Sequence, residues 1–173
     1  MIVVATTPGR ENWLKQCLES IQRPVLVLSD YTFELGKIHT IFYKTNIERF
    51  MFLQDSVVIK NQKIFDLIDD EGSIALTNDP VPFGMYMGVY ERSVLEKIYI
   101  PLPKTKEDAI KYEIEWTKIY CSQAPKLKTA YPELCDQNAT KKEVVFGRQN
   151  LVLENDYLIK YKGNWGQFFR LDL

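Results

Sequence analysis

The chain opens on a short β-branched run, Ile2 to Ala5. The turn residues Thr7, Pro8 and Gly9 separate it from Trp13, Leu14, Cys17, Leu18 and Ile21, which recur at helical spacing. This order predicts strand, loop, helix. Pro24 then introduces Val25-Leu26-Val27-Leu28, an unalternating apolar run closed by Ser29 and Asp30. Continuous strands of this kind suit parallel sheets covered on both faces, so residues 1–30 read as a βαβ unit.

Further strands are predicted at Ile38–Tyr43, Arg49–Leu53 and Ser73–Thr77, with a helix over Ile64–Ile68 that Gly72 breaks. Pro80, Pro82 and Gly84 mark a loop. A short helix covers Glu91–Ile98 and ends before Pro101 and Pro103. Thr105 is a natural N-cap for a longer helix to about Tyr120. Val144–Phe146, Leu151–Leu153 and Tyr157–Tyr161 read as short strands. No internal repeat, linker or low-complexity stretch divides the chain. The expectation is a single α/β domain over residues 1–173, Rossmann-like, with a mostly parallel sheet flanked by helices.

On the helix from Thr105 the side chains sort by phase at about 100° per residue. With Ala109 at zero, Ile110, Tyr112, Ile114, Trp116, Ile119 and Tyr120 span an arc from about 280° through zero to about 140°. Glu107, Asp108, Lys111, Glu115 and Lys118 lie opposite. Glu113 falls at about 40°, inside the apolar arc. A lone carboxylate there calls for a partner or a role. Either an Arg or Lys from another element pairs with it, or it serves as a general base toward an acceptor hydroxyl.

Composition narrows the classes without selecting one. Hydrophobic residues make up 46% and charged residues 26% of the 173, an ordinary globular balance long enough for a core of its own. The net charge of −1 removes any general electrostatic drive toward nucleic acid or anionic membrane. Three cysteines, Cys17, Cys121 and Cys135, are widely spaced and odd in number, as expected of reduced thiols. With His39 the only histidine and no CxxC, zinc has little support. The apolar run at the N-terminus is too short for a signal peptide and no run approaches the length of a membrane span, so a cytoplasmic location is expected.

Ligands of open parallel sheets sit outside the carboxyl ends of the strands. Polar groups fall at three such ends: Thr6 and Thr7 with Arg10, then Asp30, then Asp55. Asp55 closes Phe50-Met51-Phe52-Leu53, and a carboxylate on a rigid strand end suits Mn²⁺ or Mg²⁺ bound together with diphosphate oxygens. Its other reading is a side-chain cap on the following turn.

The segments IVVATTPGRENWLKQCLESI, VLVLSD and FMFLQDSVVI resemble the opening of family-2-like glycosyltransferases with the type A fold, over roughly the first sixty residues. The resemblance implies transfer of a sugar from a nucleotide-diphosphate sugar. Thr6, Thr7 and Arg10 would border the nucleotide, Asp30 would contact the base or ribose, and Asp55 would hold the metal. The family motif commonly has two acidic residues around a variable one, whereas Gln54-Asp55-Ser56-Val57 offers one. GMYMGVYERSVLEKI resembles the acceptor-side segment, where Gly84 and Gly88 would let backbone approach a sugar. The resemblance makes Asp108, of the pair Glu107-Asp108, the first candidate for catalytic base and leaves Glu113 second. The other reading of Asp108 is helix capping, since Thr105 to Asp108 has capping-box spacing.

In the tail, Arg148, Lys160 and Lys162 are candidate diphosphate-binding cations and Trp165 a candidate platform for a sugar ring. Surface lysines and a core tryptophan are the alternatives. The acceptor is left open among a glycan, a lipid-linked sugar, a protein and a modified nucleobase. The chain is short for this fold, which leaves acceptor-side parts to a partner or a second subunit, a homo-oligomer included. Two rival functions stand beside transfer: an inactive nucleotide-sugar or carbohydrate-binding protein of the same fold, and a nucleotidyltransferase. The latter lacks a glycine-rich run with a basic residue near Thr7 to Arg10.

Overall fold

The computed structural model describes residues 1–78, 87–135 and 151–162. Strand β1 (Ile2–Thr6) is buried along its whole length because it lies between two parallel neighbours, β2 (Val25–Ser29) and β3 (Arg49–Gln54). The strand period of two sends Ile2 and Val4 to one face of the sheet and Val3 and Ala5 to the other, where they join separate cores. Helix α1 (Glu11–Glu19) covers the first face with Trp13 and Cys17 buried, and α2 (Phe33–Lys44) covers the second with Leu35, Ile38 and Ile41.

The assignment of Ile38–Tyr43 to a strand is therefore corrected: these residues form the body of α2. Parallel β2 and β3 need a crossover between them. Leu35, Ile38 and Ile41, three residues apart, form the stripe that packs α2 against Phe50 and Phe52. The residues around Ile64–Ile68 form a 3₁₀ helix, Gln62–Ile68, with Asn61 accepting from the Lys63 amide at 3.0 Å. The short helix predicted from Glu91 is reduced to α3 (Arg92–Leu95), since Glu91 still pairs with Arg49 in the sheet.

The main sheet has six strands in the order β2-β1-β3-β6-β5-β7, with β5 at Ser73–Thr77, β6 at Gly88–Glu91 and β7 at Leu127–Tyr131. β6 runs antiparallel to both β3 and β5, so the sheet is mixed, where a mostly parallel one was expected. A second, three-stranded antiparallel sheet joins β4 (Val57–Ile59), β9 (Leu158–Lys162) and β8 (Leu151–Glu154) in the order β4-β9-β8. Val57, Ile59, Leu153 and Leu158 add it to the α1 face. The segment 144–146 and the loop with Pro80, Pro82 and Gly84 lie outside the described residues.

Helix α4 (Lys106–Gln123) begins as expected, with Thr105 accepting from the Asp108 amide at 3.1 Å. Its buried stripe is narrower than the apolar arc. Trp116, Thr117 and Tyr120 are buried, while Ile110, Ile114 and Ile119, at the edges of the arc, are 53%, 36% and 51% exposed. Near the helix end the Tyr120 hydroxyl lies 2.8 Å from Ser73 Oγ, at the start of β5, and accepts from the Glu91 amide at 3.1 Å. α4 thus runs against the parallel strands, and its first turn lies at their carboxyl end. Among the described residues no helix is long and apolar enough to cross a membrane.

Candidate functional site

From β1 the chain goes outward through α1 to β2, then returns past β1 through α2 to β3 on its other side. The two connections run in opposite directions across the sheet and cover its opposite faces, so the carboxyl ends of β1 and β3 flank the point where the strand order reverses, the usual ligand position in such sheets. Two of the predicted polar ends meet there. Asp55, one residue beyond β3, is only 4% exposed and accepts from Thr6 Oγ1 at 2.6 Å. The Arg10 guanidinium grips the same carboxylate as a fork, Nε to Oδ2 at 2.7 Å and Nη2 to Oδ1 at 2.6 Å. The Asp55 amide donates to Ala5 O at 3.0 Å, tying the turn after β3 to β1.

The local sequence explains how Arg10 reaches this far. After β1, Thr7 and Pro8 lead to Gly9, whose φ of 89° requires glycine and whose amide donates to the Glu11 carboxylate at 2.9 Å. This turn delivers Arg10 just before α1, beside the Trp13 ring, 5.6 Å from its centroid. Thr7 stays half-buried in that turn.

Asp30 occupies the neighbouring strand end and has an assembly of its own. Its Oδ1 accepts from the Thr32 amide at 2.8 Å, the Thr32 hydroxyl at 2.5 Å and Lys37 Nζ at 3.2 Å. Burial pushes the carboxyl up, but the Thr32 hydroxyl and amide together with Lys37 outweigh it, and Asp30 titrates below its ordinary value. Lys37, with a side chain 2% exposed, also donates to Asp30 O and Phe33 O. Phe33 has φ of 60°, an outlier for a bulky side chain, so the turn from β2 into α2 is strained and locked by the lysine beneath it. Sequence reading missed Lys37. The available signal was a lysine inside the apolar stripe that Ile38 and Ile41 define, visible only once that segment is read as helix.

Lys160 is buried on β9, and its Nζ donates to Ser56 Oγ at 2.5 Å, beside Asp55. Cys17 sits behind this group. Burial, and secondarily Asp55, push its thiol up to about 12, with Lys160 pulling the other way. A thiol so held stays protonated and is no nucleophile. Gln54, ending β3, donates to Glu34 on α2 at 2.8 Å, a contact with no counterpart in the sequence reading.

The remaining candidates are less closely gathered. Gly88 opens β6 and is paired with Phe52 and Ala75, at the same end of the sheet. Asp108 is in the first turn of α4, also at this end, with its Oδ2 3.4 Å from the Lys104 amide and its own amide on Thr105. Glu113 and Lys162 belong to α4 and β9 by backbone, and their side chains lie outside the described residues, as do Arg148 and Trp165 altogether.

A divalent cation at Asp55 does not suit the residues present. Both carboxylate oxygens are already committed, to the Arg10 fork and to Thr6, so an ion there would first have to displace the guanidinium. Compared with protein-family models, with curated proteins and with solved structures, the chain matches none.

Proposed function

We propose that the chain binds a nucleotide-diphosphate sugar at the carboxyl ends of β1, β2 and β3 and transfers the sugar to a hydroxyl acceptor, as a type A glycosyltransferase. The observation that carries this reading is the joining of Thr6, Arg10 and Asp55 at the point where the connections diverge, with Asp30 one strand away. In this reading Arg10 faces the diphosphate, Asp30 takes a base or ribose group through the oxygen its internal bonds leave over, and Gly88 admits the sugar. Asp108 deprotonates the acceptor, with Glu113 second in line. Mn²⁺ or Mg²⁺ enters only if Arg10 releases Asp55. The free thiols Cys17, Cys121 and Cys135 support a reducing compartment such as the cytoplasm.

A second reading has its own observation. Asp55 spends both oxygens on Arg10 and Thr6, and Asp108 directs one oxygen at the Lys104 amide, an arrangement equally suited to a protein that binds a nucleotide sugar without transferring it. A thermal-shift screen of UDP, GDP, dTDP and CMP sugars, with and without Mn²⁺, tests both. Stabilisation by one nucleotide class with release of free nucleotide supports transfer, stabilisation without release supports binding alone, and a flat response to every nucleotide sinks both. Asp108→Asn is expected to abolish transfer while donor binding persists; full turnover in that variant removes Asp108 from the reaction.

A further inference from the structure

We infer that the cation this site offers to a diphosphate is the Arg10 guanidinium, clamped by Asp55 and Thr6, and that a diphosphate therefore binds without a divalent metal. The inference rests on the proposed donor site and changes what Asp55 does there: it is the anchor of an arginine. Of a guanidinium's five N–H groups, the Nε edge and one Nη2 hydrogen are spent on Asp55. The outer N–H groups make no hydrogen bond to the described residues. The side chain is 16% exposed against 4% for its carboxylate, so the pair is sunk carboxylate-first and the guanidinium is the part nearer solvent.

Two features make this a built arrangement. Thr6 adds its hydroxyl to the oxygen that also takes Arg10 Nε, which fixes the carboxylate plane and with it the direction of the fork. Trp13 backs the guanidinium from the α1 side. A metal ion, by contrast, would have to expel a bidentate guanidinium from a nearly water-free carboxylate. Arginine forks match diphosphate oxygens in pairs, and a fork already held in place loses little freedom on binding.

Isothermal titration calorimetry on the full chain separates the possibilities. Inorganic pyrophosphate, UDP and GDP are each titrated in EDTA and again in Mg²⁺ or Mn²⁺, against the native protein, Arg10→Met, Arg10→Lys and Asp55→Asn, with circular dichroism as the folding control. Expected is binding of pyrophosphate and at least one nucleoside diphosphate in EDTA, weakened about ten- to a hundredfold by Arg10→Met. Arg10→Lys, which keeps charge and loses the fork, should weaken it about tenfold, and Asp55→Asn only severalfold. Binding that requires the metal, or that Arg10→Lys leaves unchanged in a folded protein, overturns the inference and leaves the donor-site reading intact. Arg10-dependent pyrophosphate binding in a protein that takes no nucleotide sugar upholds the inference and overturns the proposed function. No binding of any diphosphate in either buffer overturns both.

Discussion

Asp55→Asn probes the clamp through stability, independently of any ligand. The native carboxylate receives two hydrogen bonds from Arg10 and one from Thr6 at 2.6–2.7 Å, while 4% exposed. A hydrogen bond to a charged group contributes about 1.5–3 kcal/mol, and bonds within one network do not add. Asparagine keeps one acceptor oxygen, and Arg10 at 16% exposure regains only part of its hydration, so the expected loss is about 2–4 kcal/mol. For a chain of this size that lowers the melting temperature by roughly 5–15 °C. Urea unfolding of Asp55→Asn, Arg10→Met and the double variant should give a coupling energy of about 1.5–3 kcal/mol. A carboxylate kept free for a ligand would instead be neutral or strained, and its removal harmless. A coupling below about 0.5 kcal/mol, or an Asp55→Asn protein as stable as the native one, refutes the clamp.

Three further outcomes test neighbouring parts. Gly36→Ala, ordinarily a gain of about 1 kcal/mol inside a helix, should destabilise by about 1–3 kcal/mol, because a Cβ there collides with the Thr32 side chain that holds Asp30; thermal melts decide it. The Asp30 carboxyl titrates below its ordinary value, so its contribution is present above about pH 4 and is lost as pH falls through the folded pKa. The stabilities of the native protein and Asp30→Asn should therefore converge only in acid, and a gap unchanged down to pH 3 contradicts the pairing. Burial, outweighing the bonds from Ser73 and Glu91, pushes the Tyr120 hydroxyl up to about 12, so its contribution is complete below about pH 10 and lost above it. In Tyr120→Phe, pH-dependent unfolding between those values should flatten, and an unaltered alkaline limb of the stability curve tells against that burial.

The residues that gave themselves away in sequence were those whose environment is uniform. Val3, Val4, Phe50 to Leu53 and Ile74 to Leu76 are buried on both faces, so they appear as unbroken apolar runs. α2 misled for the opposite reason. Ile38, Thr40, Ile41 and Tyr43 favour strands locally, and only the demand for a crossover between β2 and β3 makes them helical. The antiparallel insertion of β6 is a long-range choice, since neither Gly88 nor Val89 carries a sign of direction. At the site, the polar strand ends were legible one at a time. That Arg10 would turn back onto Asp55, 45 residues away, depended on the course of the Gly9 turn, which the glycine marks without giving its direction, and that Lys37 would be buried under Asp30 depended on the Phe33 turn, whose backbone conformation has no sign in the sequence.

The most direct measurement is a crystal structure of the full chain with whichever nucleotide sugar gives the largest thermal shift, grown in EDTA. The expected complex has the diphosphate within hydrogen-bond distance of Arg10 at the carboxyl end of β1, the base or ribose beside Asp30, and the Arg10–Asp55 pair intact. A nucleotide bound elsewhere, at the opposite end of the sheet or on the second sheet, with the carboxyl ends of β1 and β3 empty, would contradict the account.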